Sequence, residues 1–171
     1  MGGPACGLWI PSGSRDAVDL AVERMVRLIA RPSPYLSPRS FNAPDTRPIG
    51  GRLNDCAAPM YCSFDSCEAN EEDELQVAEA FGFWPEQLPL SIGVCCKSRG
   101  DHRALADVAA HLVEASGGVI DFGALLPVAA ELPGRTAVVY QDGIPGWLPR
   151  TMLDAVAMRA WSGRADCWMV K

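Results

Sequence analysis

The stretch from Leu90 to Phe122 constrains the fold more than any other part of this chain. Leu90, Ile92, Val94 and Cys96 alternate with Ser91, Gly93 and Cys95, the period-two pattern of a strand with one buried face. Asp101 then reads as the cap of a helix whose apolar stripe is Leu105, Val108, Ala109 and Leu112. Gly117-Gly118 supplies a left-handed stop, and Val119 to Phe122 follow as a second strand. A strand, a helix and a strand with short connections make a right-handed crossover, which sets the two strands parallel in one sheet, adjacent or one apart.

The flanking segments add elements to that unit. Residues 5–10 form an apolar strand closed by Pro11-Ser12-Gly13-Ser14, and Ser14 caps a helix with Val18, Val22, Met25, Val26 and Ile29 on one side and a Glu23–Arg27 pair on another. Six prolines from Pro32 to Pro59 forbid a long helix, so residues 31–59 are expected as loop with one edge strand. Met60 to Phe64 read as a strand. Asn70 caps a helix whose first turn is Glu71, Glu72, Asp73 and Glu74, a placement the helix dipole favours, and Gly82 ends it. Thr136 to Tyr140 form a strand, Arg150 to Trp161 a helix with Leu153, Val156, Ala157, Ala160 and Trp161 inward, and Cys167 to Val170 a last strand. The expectation is one α+β domain over residues 1–171, a mixed β-sheet with helices packed mainly on one face.

With 49% hydrophobic and 21% charged residues in 171, the chain has the material for its own core. A net charge of -6 repels polyanions, which argues against a nucleic-acid partner. The apolar run at residues 5–10 is too short for a signal core, and no run approaches membrane-spanning length, so a cytoplasmic protein without a membrane partner is expected. Seven cysteines, an odd number at irregular spacing, read as reduced thiols rather than a disulfide framework.

Chemistry-bearing motifs are sparse. Cys95-Cys96 with Asp101 and His102 downstream permits a thiol-nucleophile reading, set against a plain one of core cysteine and helix-start residues. His111, with Asp107 and Glu114, falls on the polar side of its helix and is expected in solvent. Cys56, Cys62 and Cys67 lack the tight pairing that zinc favours. Walker, G-x-G-x-x-G, G-x-S-x-G and H-E-x-x-H patterns do not occur. The expected state is no enzyme, no metal and no cofactor, with a small Cys/His thiol enzyme or a zinc-binding module as the alternatives.

Charge patterning points instead to a partner. No basic residue lies between Arg52 and Lys97, while Asp55, Asp65, Glu68, Glu71, Glu72, Asp73, Glu74, Glu79 and Glu86 do. Such a field is either a solvated helix face or a docking surface that speeds association with a basic protein. Trp84 and Trp147 sit in loops bounded by Pro and Gly, where an exposed ring anchors an interface or closes over the core. The candidate contact residues are therefore Glu68, Glu71, Glu72, Asp73 and Glu74 with Trp84 and Trp147.

From about Glu71 onward a series of segments has a shared order: Phe81-Gly82-Phe83-Trp84-Pro85, the strand ending Val94-Cys95-Cys96, Asp101-His102-Arg103-Ala104-Leu105, Gly117 to Gly123, Leu132-Pro133-Gly134-Arg135, and the tail from Met158 to Lys171. That order resembles small bacterial domains of the polymorphic-toxin immunity type. The resemblance implies a cytoplasmic immunity protein, monomeric or homodimeric, that neutralises a cognate toxin or effector by stoichiometric occlusion. It implies a toxin such as a nuclease, delivered by a contact-dependent machine of the type VI secretion kind. Such families supply no catalytic residues.

Overall fold

The structure is a computed structural model that describes residues 3–30, 40–53, 59–64, 70–95, 98–140 and 148–170. Its strands are β1 (Ala5–Trp9), β2 (Ser40–Asn42), β3 (Pro59–Phe64), β4 (Leu90–Val94), β5 (Val119–Asp121), β6 (Thr136–Val139) and β7 (Arg150–Leu153), and its helices α1 (Arg15–Ile29), α2 (Glu71–Phe81), α3 (Arg99–Ser116) and α4 (Ala155–Gly163). All seven strands share one sheet in the order β2-β3-β4-β1-β5-β7-β6. The chain is an α+β protein, as its sequence indicates.

β1 lies between β4 and β5 and is antiparallel to both, so these two run parallel to each other one strand apart. This is the arrangement expected for the strand–helix–strand unit. The sheet is antiparallel rather than mixed, because every hydrogen-bonded pair of described strands is antiparallel and parallel direction recurs only one strand apart.

Strand pleating divides the core. Cys6, Leu8 and Ile10 face one side with Ile92, Ile120 and Leu153, and against them pack α1, α3 and α4 through Val22, Met25, Leu105, Leu112 and Trp161. Trp9, Val119, Val139 and Met152 face the other side and meet Val77 of α2, with Phe81 and Phe83 at the margin. Three of the described helices thus cover one face and α2 covers part of the other.

Several boundaries depart from expectation. Asp101 does not cap α3: Ser98 does, its Oγ accepting the Asp101 N–H at 3.2 Å while Asp101 Oδ2 accepts the Ser98 N–H at 2.7 Å. Asp101 is the third residue of a capping box, which places the helix start three residues earlier. The helix expected from Arg150 begins instead at Ala155, after β7. Asp154 separates the two by accepting the Ala157 N–H, and β7 is buried on both faces, so no alternation marked it as a strand. Residues 167–170 are not a strand. There the Val170 carbonyl accepts the Ala5 N–H at 2.8 Å and the Met169 N–H donates to His102 Nδ1 at 2.8 Å. Asp107 is not in solvent either. The turn around Arg47–Ile49 sits on it, and Thr46 Oγ1 donates to its Oδ2 at 2.8 Å. Gly51 is required there, because a Cβ would lie 2.3 Å from Thr46 Oγ1 and 2.4 Å from Asp107 Oδ2.

β6 ends the sheet. Opposite Val138, Thr151 gives its N–H and C=O to Ala124 and Phe122 on the β5 side, so Val138 turns its own main-chain groups outward, and Tyr140 two residues on does the same. Gln76 of α2 meets that outward pair: its Nε2 donates to the Tyr140 carbonyl at 2.5 Å and its Oε1 accepts the Tyr140 N–H at 2.8 Å.

Candidate functional site

α2 is built by its ends and one fully buried apolar residue. Asn70 caps it by accepting the Glu72 N–H at 3.0 Å, and Gly82, with φ at 81°, closes it in the left-handed conformation. Val77 is fully buried among Trp9, Val119, Val139 and Met152, which fixes which side faces the sheet. Glu71, Glu72, Leu75 and Glu79 are left on the outside, and Leu75 is 48% exposed. That outer side carries three carboxylates around an apolar side chain, and α2 contains no basic residue.

The run of acids is therefore split. Glu71 and Glu72 face solvent, whereas Asp73 and Glu74 are buried, 3% and 5% exposed. Asp73 Oδ2 accepts from Arg150 at 2.6 Å, and the same guanidinium donates to Asp121 Oδ2 at 2.5 Å. Asp121 Oδ1 takes the Gly123 N–H at 2.8 Å, and the Trp9 indole N–H also bonds this carboxylate. Burial pushes both carboxyls above their ordinary range. Arg150 opposes the shift at each, aided at Asp121 by the Gly123 and Trp9 hydrogen bonds, while the Asp121 charge adds to it at Asp73.

Trp84, at the other end of α2, is 53% exposed, and its carbonyl accepts the Ser12 N–H at 2.8 Å. A helix of 11 residues is about 16 Å long, so Trp84 and the Glu71–Glu72 pair lie at opposite ends of the helix rather than in one cluster. Glu68 and Trp147 lie outside the described residues. On the far side of β6 is an open apolar groove of about 490 Å³ between Thr136–Val138 and Leu125–Ala130; with no titratable residue in its lining it offers shape without chemistry.

Residues 2–171 match DUF6368, a family of unknown function. The chain belongs to the DUF6368 family. No match was found among curated proteins or among solved structures.

In this DUF6368 chain the other candidate chemistries take these positions. Cys95 is exposed and Cys96 lies outside the described residues, while His102 uses Nδ1 to hold the Met169 N–H. Cys6 and Cys167 are buried, and burial pushes both thiols up, Cys167 to about 12. Cys62 is in the core beneath the helices; Cys56 and Cys67 are outside the described residues. Among the described residues no group of three or more His, Cys, Asp or Glu could hold a metal ion. No described helix is long and apolar enough to cross a membrane. His111 is half-buried beside Arg159, and burial first and that charge second lower its pKa.

Sequence reasoning missed Arg150, Asp121, Leu75 and Gln76. Asp121 carried a usable signal: a lone carboxylate inside Val119-Ile120-Asp121-Phe122 must find a cation or several donors if that strand is buried.

Proposed function

We propose that this DUF6368 chain is a non-catalytic, immunity-type protein of the bacterial cytoplasm. It binds a basic partner, such as the catalytic cleft of a toxin that acts on nucleic acid, through the outer side of α2. The observation that carries this reading is the composition of that side: Glu71, Glu72 and Glu79 in solvent around an exposed Leu75, with no base on the helix to neutralise them. Carboxylates around a modest apolar centre suit a polyanion-binding cleft, because the cleft's own cations are there to be paired and the field accelerates encounter. Trp84 extends the contact at the far end of the helix. The resemblance of its ordered segments to immunity-type domains is consistent with the same reading.

The test is co-purification with the product of the adjacent gene, followed by association kinetics for a Glu71→Lys, Glu72→Lys, Glu79→Lys variant. The expected result is an association rate at least tenfold lower at low salt, with most of the salt dependence gone. An unchanged rate and unchanged salt dependence would remove α2 as the docking face. Asp73 and Glu74 are left out of this variant because they are inside the protein, and Glu68 because it is outside the described residues.

A further inference from the structure

Where α2 meets the sheet, two carboxylates share one cation. Arg150 donates to Asp73 at 2.6 Å and to Asp121 at 2.5 Å, and the side chains of these acids are 4% and 8% exposed. With both ionised, these three groups hold one more negative than positive charge in a place where burial and like-charge repulsion both oppose it. We propose that the bridge is a proton-linked latch for α2: a proton taken up by the Asp73–Asp121 pair tightens the helix on the sheet, and its loss as pH rises loosens it.

The direction follows from what each state binds. Docked, both carboxyls lie above the ordinary carboxylate range. Released, Asp73 returns to water and to that range. Docked α2 therefore holds a proton more tightly than released α2, and the stabilisation is full at low pH and lost as pH rises through the docked pair's own range. The described groups facing the pair are Glu74 on α2, itself buried; the Trp9 indole N–H on β1, with the Cys6 thiol in electrostatic reach; the Gly123 N–H after β5; and Arg150 on β7. The two acids titrate as a unit, so the proton belongs to the pair.

α2 is the helix on which such a latch can act. It buries Val77, with Phe81 at the margin, in a small cluster, and it is further held by Gln76 with Tyr140, by the Phe81 carbonyl accepting from Arg135 at 3.0 Å, and by this bridge. The latch needs no partner, so its failure would leave the docking reading untouched.

Hydrogen exchange of α2 amides in the full chain, corrected for intrinsic rates, tests it from about pH 4 to about pH 8. The expected result is that α2 opening increases with pH, approaching but not exceeding tenfold per unit, the limit for one linked proton, while α3 amides show no such slope. Asp73→Asn is expected to abolish the slope, because one carboxylate then faces one guanidinium. A flat or opposite slope in the wild-type chain, or an unaltered slope in Asp73→Asn, would overturn the proposal. Carbon NMR titration of the wild-type carboxyls decides the matter without any variant: an upward-shifted titration of the pair supports the latch, and titration of both acids at ordinary carboxylate values sinks it.

Discussion

The two faces of the sheet are held by different physics. On the side of α1, α3 and α4, a continuous apolar mass joins all three helices to β1, β4, β5 and β7, and α3 is buried along most of its length. On the side of α2 the apolar cluster is five buried residues, and what completes the docking is directional: a guanidinium between two carboxylates and an amide on Tyr140, the residue after β6. Apolar burial scales with area and erodes gradually as atoms are removed. A directional contact is made or it is not, and a buried partner left behind becomes a cost. The comparison places the stable body on one face and the responsive element, which also carries the exposed acids, on the other.

Three substitutions sharpen that contrast, from the largest effect to the smallest. Arg150→Ala leaves two buried carboxylates without their shared cation and is expected to cost about 3–5 kcal/mol in chemical denaturation, with α2 amides losing protection first. A cost below about 1 kcal/mol would mean the α2 side is held by apolar contact after all. Leu112→Ala, fully buried in α3, is expected to cost about 2–5 kcal/mol and to lower the thermal midpoint of the whole chain with no preference for α2. Gln76→Ala removes two exposed hydrogen bonds and is expected to cost about 1 kcal/mol, visible as faster exchange in α2 with α3 unaltered. If Leu112→Ala loosened α2 alone, or Gln76→Ala destabilised α3 as much as α2, the two faces would not be separate.

Elements whose signals are local were legible in the sequence. The unit from Leu90 to Phe122 announces itself by alternation, a stripe and a glycine stop, and its two strands run parallel with β1 between them, one of the two spacings expected. β7 was hidden because Thr151, Met152 and Leu153 are all buried, so the run blends into the following helix unless Asp154 is recognised as its cap. The acidic run shows where α2 starts, since carboxylates suit a helix N-terminus, but not which of them turn inward. That depends on Arg150, 77 residues further along the chain, and on which side Val77 buries. Asp107 was misplaced for the same reason, its covering turn being 61 residues away. Long-range pairing decided the polar part of the site, and a single sequence does not display it.

Gln76 has a consequence for how molecules of this protein meet one another. A terminal strand with its main chain facing outward is a template on which a second chain can add its own strand, and Thr136 to Val139 contain neither a charge nor a proline to discourage it. By occupying Tyr140, the glutamine amide acts as a one-residue stopper, and α2 keeps it seated. Lifting that helix is therefore expected to bare the Tyr140 main chain and invite strands of other molecules onto this edge.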